Sequence, residues 1–296
     1  MKNNSTFTPP DFTLPQNIMN RPVTVIGAGT LGRRIALMFG TRGGQVKIYD
    51  LSEDQRKAAV LYVNEQLPAV AATIDGGVPG TVTATADLAE ALKDAWLVIE
   101  AIPERLDLKI KVFGDLDRLA DKDAILASNS SSYPSSQFID EVAHPERVVN
   151  AHFYMPPTQN AIDLMSCGKT DPSVIELLKT ALPSFGVFPF EARKESTGFI
   201  FNRVWAAIKR ESLALVAEGV STPEEFDQMC MINMHTKMGP FRLMDKVGLD
   251  VVLDIENHYA AENPHLPTGP RELLHQYVDN GLLGVKSGRG FYNDYA

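Results

Sequence analysis

Apolar residues come in short, nearly continuous runs through the first two thirds of the chain and in helically spaced stripes through the last third. Residues 22–26 form a β-branched run, and glycines follow at once. Over 30–39, Leu31, Ile35, Leu37 and Met38 mark an apolar stripe that predicts a helix, broken at Gly43-Gly44. Residues 45–50 alternate like a strand and end in an acid, Asp50. Strand, glycine turn, helix and strand make a βαβ unit. Helical spacing runs on to Gln66 and returns over 88–92 and 109–119, while 95–100, 124–128, 148–153 and 162–167 read as buried strands. Strands alternating with helices predict a doubly wound, mainly parallel sheet, the α/β Rossmann class.

The pattern changes near Gly198. Residues 199–219 read as one long helix with Phe199, Val204, Ala207, Ile208, Leu213, Leu215 and Val216 as its apolar positions. Helical stretches follow over 223–234, 244–259 and 272–280, and strand signals largely disappear. The expected organisation is a flexible extension over 1–20, a dinucleotide-binding domain over 21–197 and an all-helical domain over 198–296.

Composition narrows the function. Of 296 residues 44% are hydrophobic, enough for a real core. Lys and Arg total 28 against 37 acids, a net charge of -9 that repels phosphate backbones, so nucleic acid is not an expected partner. Two cysteines, Cys167 and Cys230, make neither a disulfide framework nor a zinc site, and no bound metal is expected. No apolar run reaches membrane-spanning length and the first twenty residues lack a secretory or transit pattern, so a cytoplasmic protein with no membrane partner is expected.

The glycine run Gly27-Ala28-Gly29-Thr30-Leu31-Gly32 carries the first chemistry. Taken alone the spacing is weak, and a glycine turn without any nucleotide is the competing reading. Its setting strengthens it, because it follows a strand, opens a helix, and precedes Asp50 by about 20 residues. Gly27 permits a tight turn, Gly29 lets a pyrophosphate approach the backbone, and Gly32 allows helix and strand to pack closely. The helix N-terminus at Thr30 and Leu31 offers free N–H groups to phosphate. Asp50 suits the two adenosine ribose hydroxyls and repels a 2′-phosphate, so NAD is favoured over NADP. Arg33 and Arg34, in the first turn, either add contacts to pyrophosphate or ribose or are two solvated cations.

Seven stretches in order resemble the 3-hydroxyacyl-CoA dehydrogenase family. They are Val25 to Gly32, Val98 to Glu104, Ala127 to Ser132, Ala151 to Pro157, Gly198 to Arg203, Met238 to Phe241 and Leu283 to Tyr292. The resemblance implies an oxidoreductase, with a Rossmann domain followed by a helical domain that usually forms a homodimer, and a place in fatty acid metabolism. It implies that His152 is the catalytic base, taking the alcohol proton while hydride leaves for the nicotinamide. It implies that Ser131 and Asn202 hold the hydroxyl or keto oxygen. Glu104 and Lys109 match residues near the nicotinamide and the substrate's phosphate-bearing end, and Asn129 joins the cofactor set. Against these, Ser130 to Ser132 read equally as a capping cluster, and Asn202 as a polar residue at a helix start.

Two departures stand out. The family has Asn three residues after the histidine, where this chain has Met155. The family's base is oriented by a glutamate; ungapped counting puts Leu164 there, and a one-residue slip brings in Asp163, the expected carboxylate partner. Its competing reading is a solvent-side acid on an edge strand.

The expected substrate is a small molecule, a 3-hydroxyacyl-CoA such as 3-hydroxybutyryl-CoA. Leu31-Gly32-Arg33 and Pro103 to Lys109 also resemble the L-gulonate 3-dehydrogenase and λ-crystallin branch, which makes a free 3-hydroxy acid the alternative. A crystallin-like structural protein that binds NAD(H) without turnover is the reading from another class.

Overall fold

A computed structural model describes residues 12–295. They fall into two compact units divided between Phe199 and Ile200. Of the extension expected over 1–20, residues 1–11 lie outside the described residues, while Phe12, Leu14 and Ile18 pack against the core of the first unit.

The first unit alternates strand and helix: β1 (Val23–Ile26), α1 (Thr30–Phe39), β2 (Gln45–Tyr49), α2 (Glu53–Ala71), β3 (Thr81–Thr85), α3 (Leu88–Leu92), β4 (Leu97–Glu100), α4 (Leu106–Leu119) and β5 (Ile125–Ser128). Then come β6 (Val148–Met155), β7 (Gln159–Ser166), α5 (Pro172–Ala181) and β8 (Phe188–Ala192). One sheet holds all eight strands in the order β3-β2-β1-β4-β5-β6-β7-β8. The first six are parallel, β7 runs antiparallel to β6, and β8 is parallel to β7.

The central strands are buried on both faces, which is why they read as continuous apolar runs. Alternate residues go to opposite sides. Val25, Ile99, Ala127 and Val149 join one core with α1, α2 and α5; Ile26, Val98, Leu126 and Val148 join the other with Phe113 and Leu116 of α4. The chain reverses its direction across the sheet between β1 and β4, so the loops after these strands flank a crevice at their carboxyl ends.

The structure adds two strands and a helix, β3, β8 and α5, that periodicity did not reveal. Both strands are edges: β3 has no buried position, and β8 carries Pro189 between the exposed rings of Phe188 and Phe190. Helix α2 runs past Gln66 to Ala71 with Pro68 inside it, so the Asn64 carbonyl forgoes its intrahelical partner there.

The second unit is helical: α6 (Phe201–Ala217), α7 (Pro223–Met234), α8 (Pro240–Val247), α9 (Leu249–Glu262) and α10 (Gly269–Val278). Its core gathers Leu213, Phe241, Met244, Leu249, Val252 and Leu274. Two expectations change here. The helix expected from Phe199 begins at Phe201, because Gly198 and Phe199 are both left-handed, with φ of +73° and +52°. The single helix expected over 244–259 is two, since Gly248 at φ +105° ends α8 and starts α9.

Two buried carboxylates tie the unit together. Asp227 accepts from the Phe241 and Arg242 N–H groups at the start of α8 and from the Tyr292 hydroxyl. Asp245 accepts from the Phe291 and Tyr292 N–H groups. Gly239 and Gly290 lie so close to these acids that a Cβ at either would fall 2.2–2.3 Å from a carboxylate oxygen. The two C-terminal motifs are therefore fold-forming. Among the described residues no helix is long and apolar enough to cross a membrane.

Candidate active site

The glycine turn sits where β1 meets α1. Gly27 has φ +108°, and a Cβ there would come within 2.6 Å of the Ala101 carbonyl in the loop after β4. A Cβ on Gly32 would lie 1.9 Å from the Gly27 carbonyl. These two glycines are demanded by packing. Gly29 is different: a Cβ there meets no atom of the described residues within 4 Å. Gly29 caps α1 without a side-chain hydrogen bond, so its first-turn N–H groups, at Thr30 and Leu31, face that open space uncapped.

Asp50, just past β2, turns toward the glycine turn. One carboxylate oxygen accepts the Ala28 N–H at 2.8 Å and the other accepts the Ser52 N–H at 2.8 Å. An open backbone cradle at a helix N-terminus, with a fixed carboxylate one strand away, fits a dinucleotide whose ribose is unphosphorylated. Among the described residues, Arg33 and Arg34 meet an aromatic ring rather than an acid. Both guanidinium groups lie over the Tyr62 ring, at 4.9 and 5.7 Å, and Arg34 also donates to the Pro156 carbonyl.

A charged network lies beyond the end of β4. Glu100 is fully buried and Lys109 is 1% exposed; their ion pair is 2.8 Å long. Glu100 also accepts from the Ile102 N–H and the Ser128 hydroxyl. The Lys109 ammonium reaches Glu104 at 3.1 Å. Glu104 in turn accepts from the Ser130 hydroxyl and from the Ser131 and Ser132 N–H groups. Burial pushes the Glu104 carboxyl up, but Lys109 and these donors outweigh it and hold it below the ordinary carboxylate range. Lys109, matched by resemblance to a contact with the substrate's phosphate end, thus has its charge committed to two carboxylates. The serine cluster is a cradle for Glu104, and Ser131 is exposed at its rim.

Asn129 follows β5 and accepts the Phe153 N–H on its side-chain oxygen at 2.8 Å, which ties this loop to β6 beside His152. His152 is buried and lies directly opposite Asp163 in the β6–β7 pairing. Its Nδ1 is 3.5 Å from the Asp163 Oδ2. Asp163 is 2% exposed on an interior strand, so the edge-strand reading does not hold for it. Leu164, favoured by ungapped counting, pairs with Ala151 and packs in the core. The Tyr154 hydroxyl donates to the same Asp163 oxygen at 2.5 Å. The Phe199 ring stacks parallel on His152, with centroids 5.2 Å apart. Met155 is 40% exposed at the end of β6.

The expected residues therefore gather in three groups within the first unit: the glycine turn with Asp50; Glu104, Lys109 and Ser131; and Asn129 with His152 and Asp163. Asn202 belongs to the second unit, where it is half-buried in the first turn of α6. Sequence reasoning assigned nothing to Glu100, Tyr154 or Phe199. Tyr154 had a signal, since a strand that continues past Phe153 puts residues i and i+2 on one face.

Comparison with known proteins agrees with this architecture. Residues 22–195 match the model of the 3-hydroxyacyl-CoA dehydrogenase NAD binding domain, and residues 198–294 match that of the 3-hydroxyacyl-CoA dehydrogenase C-terminal domain. The chain is 32% identical over 281 residues to a probable 3-hydroxybutyryl-CoA dehydrogenase of Bacillus subtilis, covering 92% of this chain and 97% of that one. It is 31% identical over 281 residues to a 5-formyl-3-hydroxy-2-methylpyridine 4-carboxylate 5-dehydrogenase of Mesorhizobium japonicum, covering 93% and 91%. Among solved structures, the (S)-3-hydroxybutyryl-CoA dehydrogenase of Ralstonia eutropha superposes with a TM-score of 0.81 at 27% identity, over 92% of this chain and 98% of that one.

Proposed function

The chain belongs to the 3-hydroxyacyl-CoA dehydrogenase family of NAD-dependent oxidoreductases, and from that premise we propose that it interconverts a 3-hydroxyacyl thioester of CoA and the 3-ketoacyl thioester, with His152 as acid and base. The observation that carries this reading is the His152–Asp163 pair on the sheet that also bears the NAD cradle. With Nδ1 turned to Asp163, the other ring nitrogen, Nε2, is left to exchange a proton with substrate. In the oxidative direction Nε2 takes the hydroxyl proton as the C–H electron pair leaves the carbinol carbon as hydride. Bound NAD supplies the hydride acceptor. The Asp163 carboxylate stabilises the imidazolium so formed, and in reduction the same proton returns to the keto oxygen. Ser131 is assigned to hold that oxygen, and Glu104, fixed as an anion by Lys109, to face the nicotinamide.

A second reading keeps the chemistry and changes the tail: a free 3-hydroxy acid. It is favoured by Met155 in place of the family's Asn and by two arginines that have no acidic partner among the described residues, Arg34 reaching the hairpin turn at Pro156. The test is NADH consumption with acetoacetyl-CoA, acetoacetate and a keto-sugar acid in parallel. Turnover of acetoacetyl-CoA with the highest kcat/KM supports the thioester reading; preference for a free acid overturns it. NADH binding without turnover of any of the three favours the structural, non-enzymatic class. The exposed apolar residues of the second unit, Phe201 and Val204 on α6 with Met229 and Ile232 on α7, support a homodimer.

A further inference from the structure

His152 and Asp163 make a loose pair: 3.5 Å is the outer limit of a hydrogen bond. Aspartate is one methylene shorter than the glutamate expected from the resemblance. An unrestrained carboxylate at this distance could rotate away from the imidazole. Tyr154 removes that freedom. It lies two residues after His152, and its hydroxyl donates to the oxygen that faces Nδ1. The Tyr154 ring meets the His152 ring edge-on, with centroids 4.7 Å apart, and Phe199 stacks parallel to the same imidazole. The carboxylate is thus held by Tyr154, and the imidazole packs against both aromatic rings.

We propose that Tyr154 is a positioning residue, which fixes the Asp163 carboxylate so that it orients His152 through Nδ1. The proposal rests on His152 being the acid and base. Tyr154 touches neither substrate nor cofactor in this role; it acts through Asp163. An oxygen shared by two donors fixes the imidazole tautomer with Nδ1 protonated and leaves Nε2 as the proton acceptor. Removing the hydroxyl loses orientation without opening a cavity, because phenylalanine keeps the ring.

The experiment is a double-mutant cycle on the full chain with saturating NADH, using Tyr154→Phe, Asp163→Asn and both together. Tyr154→Phe should lower kcat for keto-substrate reduction about fivefold, the effect of one lost hydrogen bond, with KM for NADH unchanged. In the Asp163→Asn background the same change should cost less than about twofold, because its route to His152 is already gone. A second readout needs no turnover: histidine-15N-labelled enzyme, with the His152 ring signal assigned by its loss in His152→Gln. That signal should move in Tyr154→Phe and stay put when Tyr154→Phe is added to Asp163→Asn. Full additivity of the two changes, or an unmoved kcat and ring signal in Tyr154→Phe, overturns the proposal. If His152→Gln keeps full turnover, the acid–base reading fails instead, and the ring signal still decides whether Tyr154 acts through Asp163.

Discussion

His152 and Asp163 face one another across β6 and β7 as direct pairing partners, and both are almost wholly buried. A histidine in that position would be an expensive core residue without its carboxylate. Asn129 ties the loop after β5 to β6, and Glu100, Lys109 and Glu104 tie the end of β5 and that same loop to the loop after β4. These two loops are thereby anchored by buried polar contacts.

Gly29 and Gly32 separate binding from folding. Gly29→Ala adds a methyl to space that no atom of the described residues occupies, so the melting temperature should hold while NADH affinity falls at least about tenfold. Gly32→Ala drives a methyl into the Gly27 carbonyl and should cost several kcal/mol of stability, roughly the scale of severe overpacking. Calorimetry and NADH titration of both variants check this. An equal loss of stability in the two would contradict it.

Lys109 is predicted to be a counter-ion. Removing one partner of a buried pair leaves the other charge unpaired, so Lys109→Met should destabilise the protein by about 3–5 kcal/mol. Denaturant unfolding measures it. A variant of unchanged stability with a raised KM for a CoA substrate would restore Lys109 to a phosphate contact.

Asp50 should set the cofactor preference. Asp50→Ala removes a charge that repels a 2′-phosphate, and it also frees the Ala28 and Ser52 N–H groups. NADH should bind more weakly and NADPH relatively better, read by fluorescence titration of the two. Wild-type protein that binds NADPH more tightly than NADH would contradict the assignment.

In the second unit, Lys209 on α6 is 4% exposed. Burial pushes its ammonium down to about 8; Glu256 opposes this shift and Arg210 adds to it. Between about 8 and the ordinary 10.5 the unfolded chain binds more protons here than the folded one, so stability rises with pH across that window. Below it the cost is constant and at its largest. Lys209→Met should therefore raise stability at neutral pH by roughly 1–3 kcal/mol, with the gain shrinking as pH approaches 10.5. Thermal melts over that range test the sign.

The parallel strands were legible because burial on both faces writes itself as unbroken apolar runs. Edge strands β3 and β8 were not, since neither has to be apolar along its length. Phe199 read as the first apolar position of a helix, and nothing in apolar periodicity announces a bulky residue at φ +52°. The glycine spacing was legible, but not that Gly27 and Gly32 serve packing while Gly29 leaves room. Asp163 emerged only through a one-residue slip. The β6–β7 register shifts between Phe153 and Met155, and a shift of one residue exchanges core-facing and site-facing positions. The Glu100–Lys109 pair depends on α4 folding back on β4, which spacing alone does not state.

The role proposed for His152 is to move the proton in an NAD-linked oxidation and reduction. Its most direct test is kcat for reduction of the best keto substrate by His152→Gln, beside NADH affinity of the same protein. NADH affinity should be unchanged and kcat lower by about 10²–10⁴-fold, the usual loss of a general acid. A His152→Gln protein that turns over within a few-fold of wild type would contradict it.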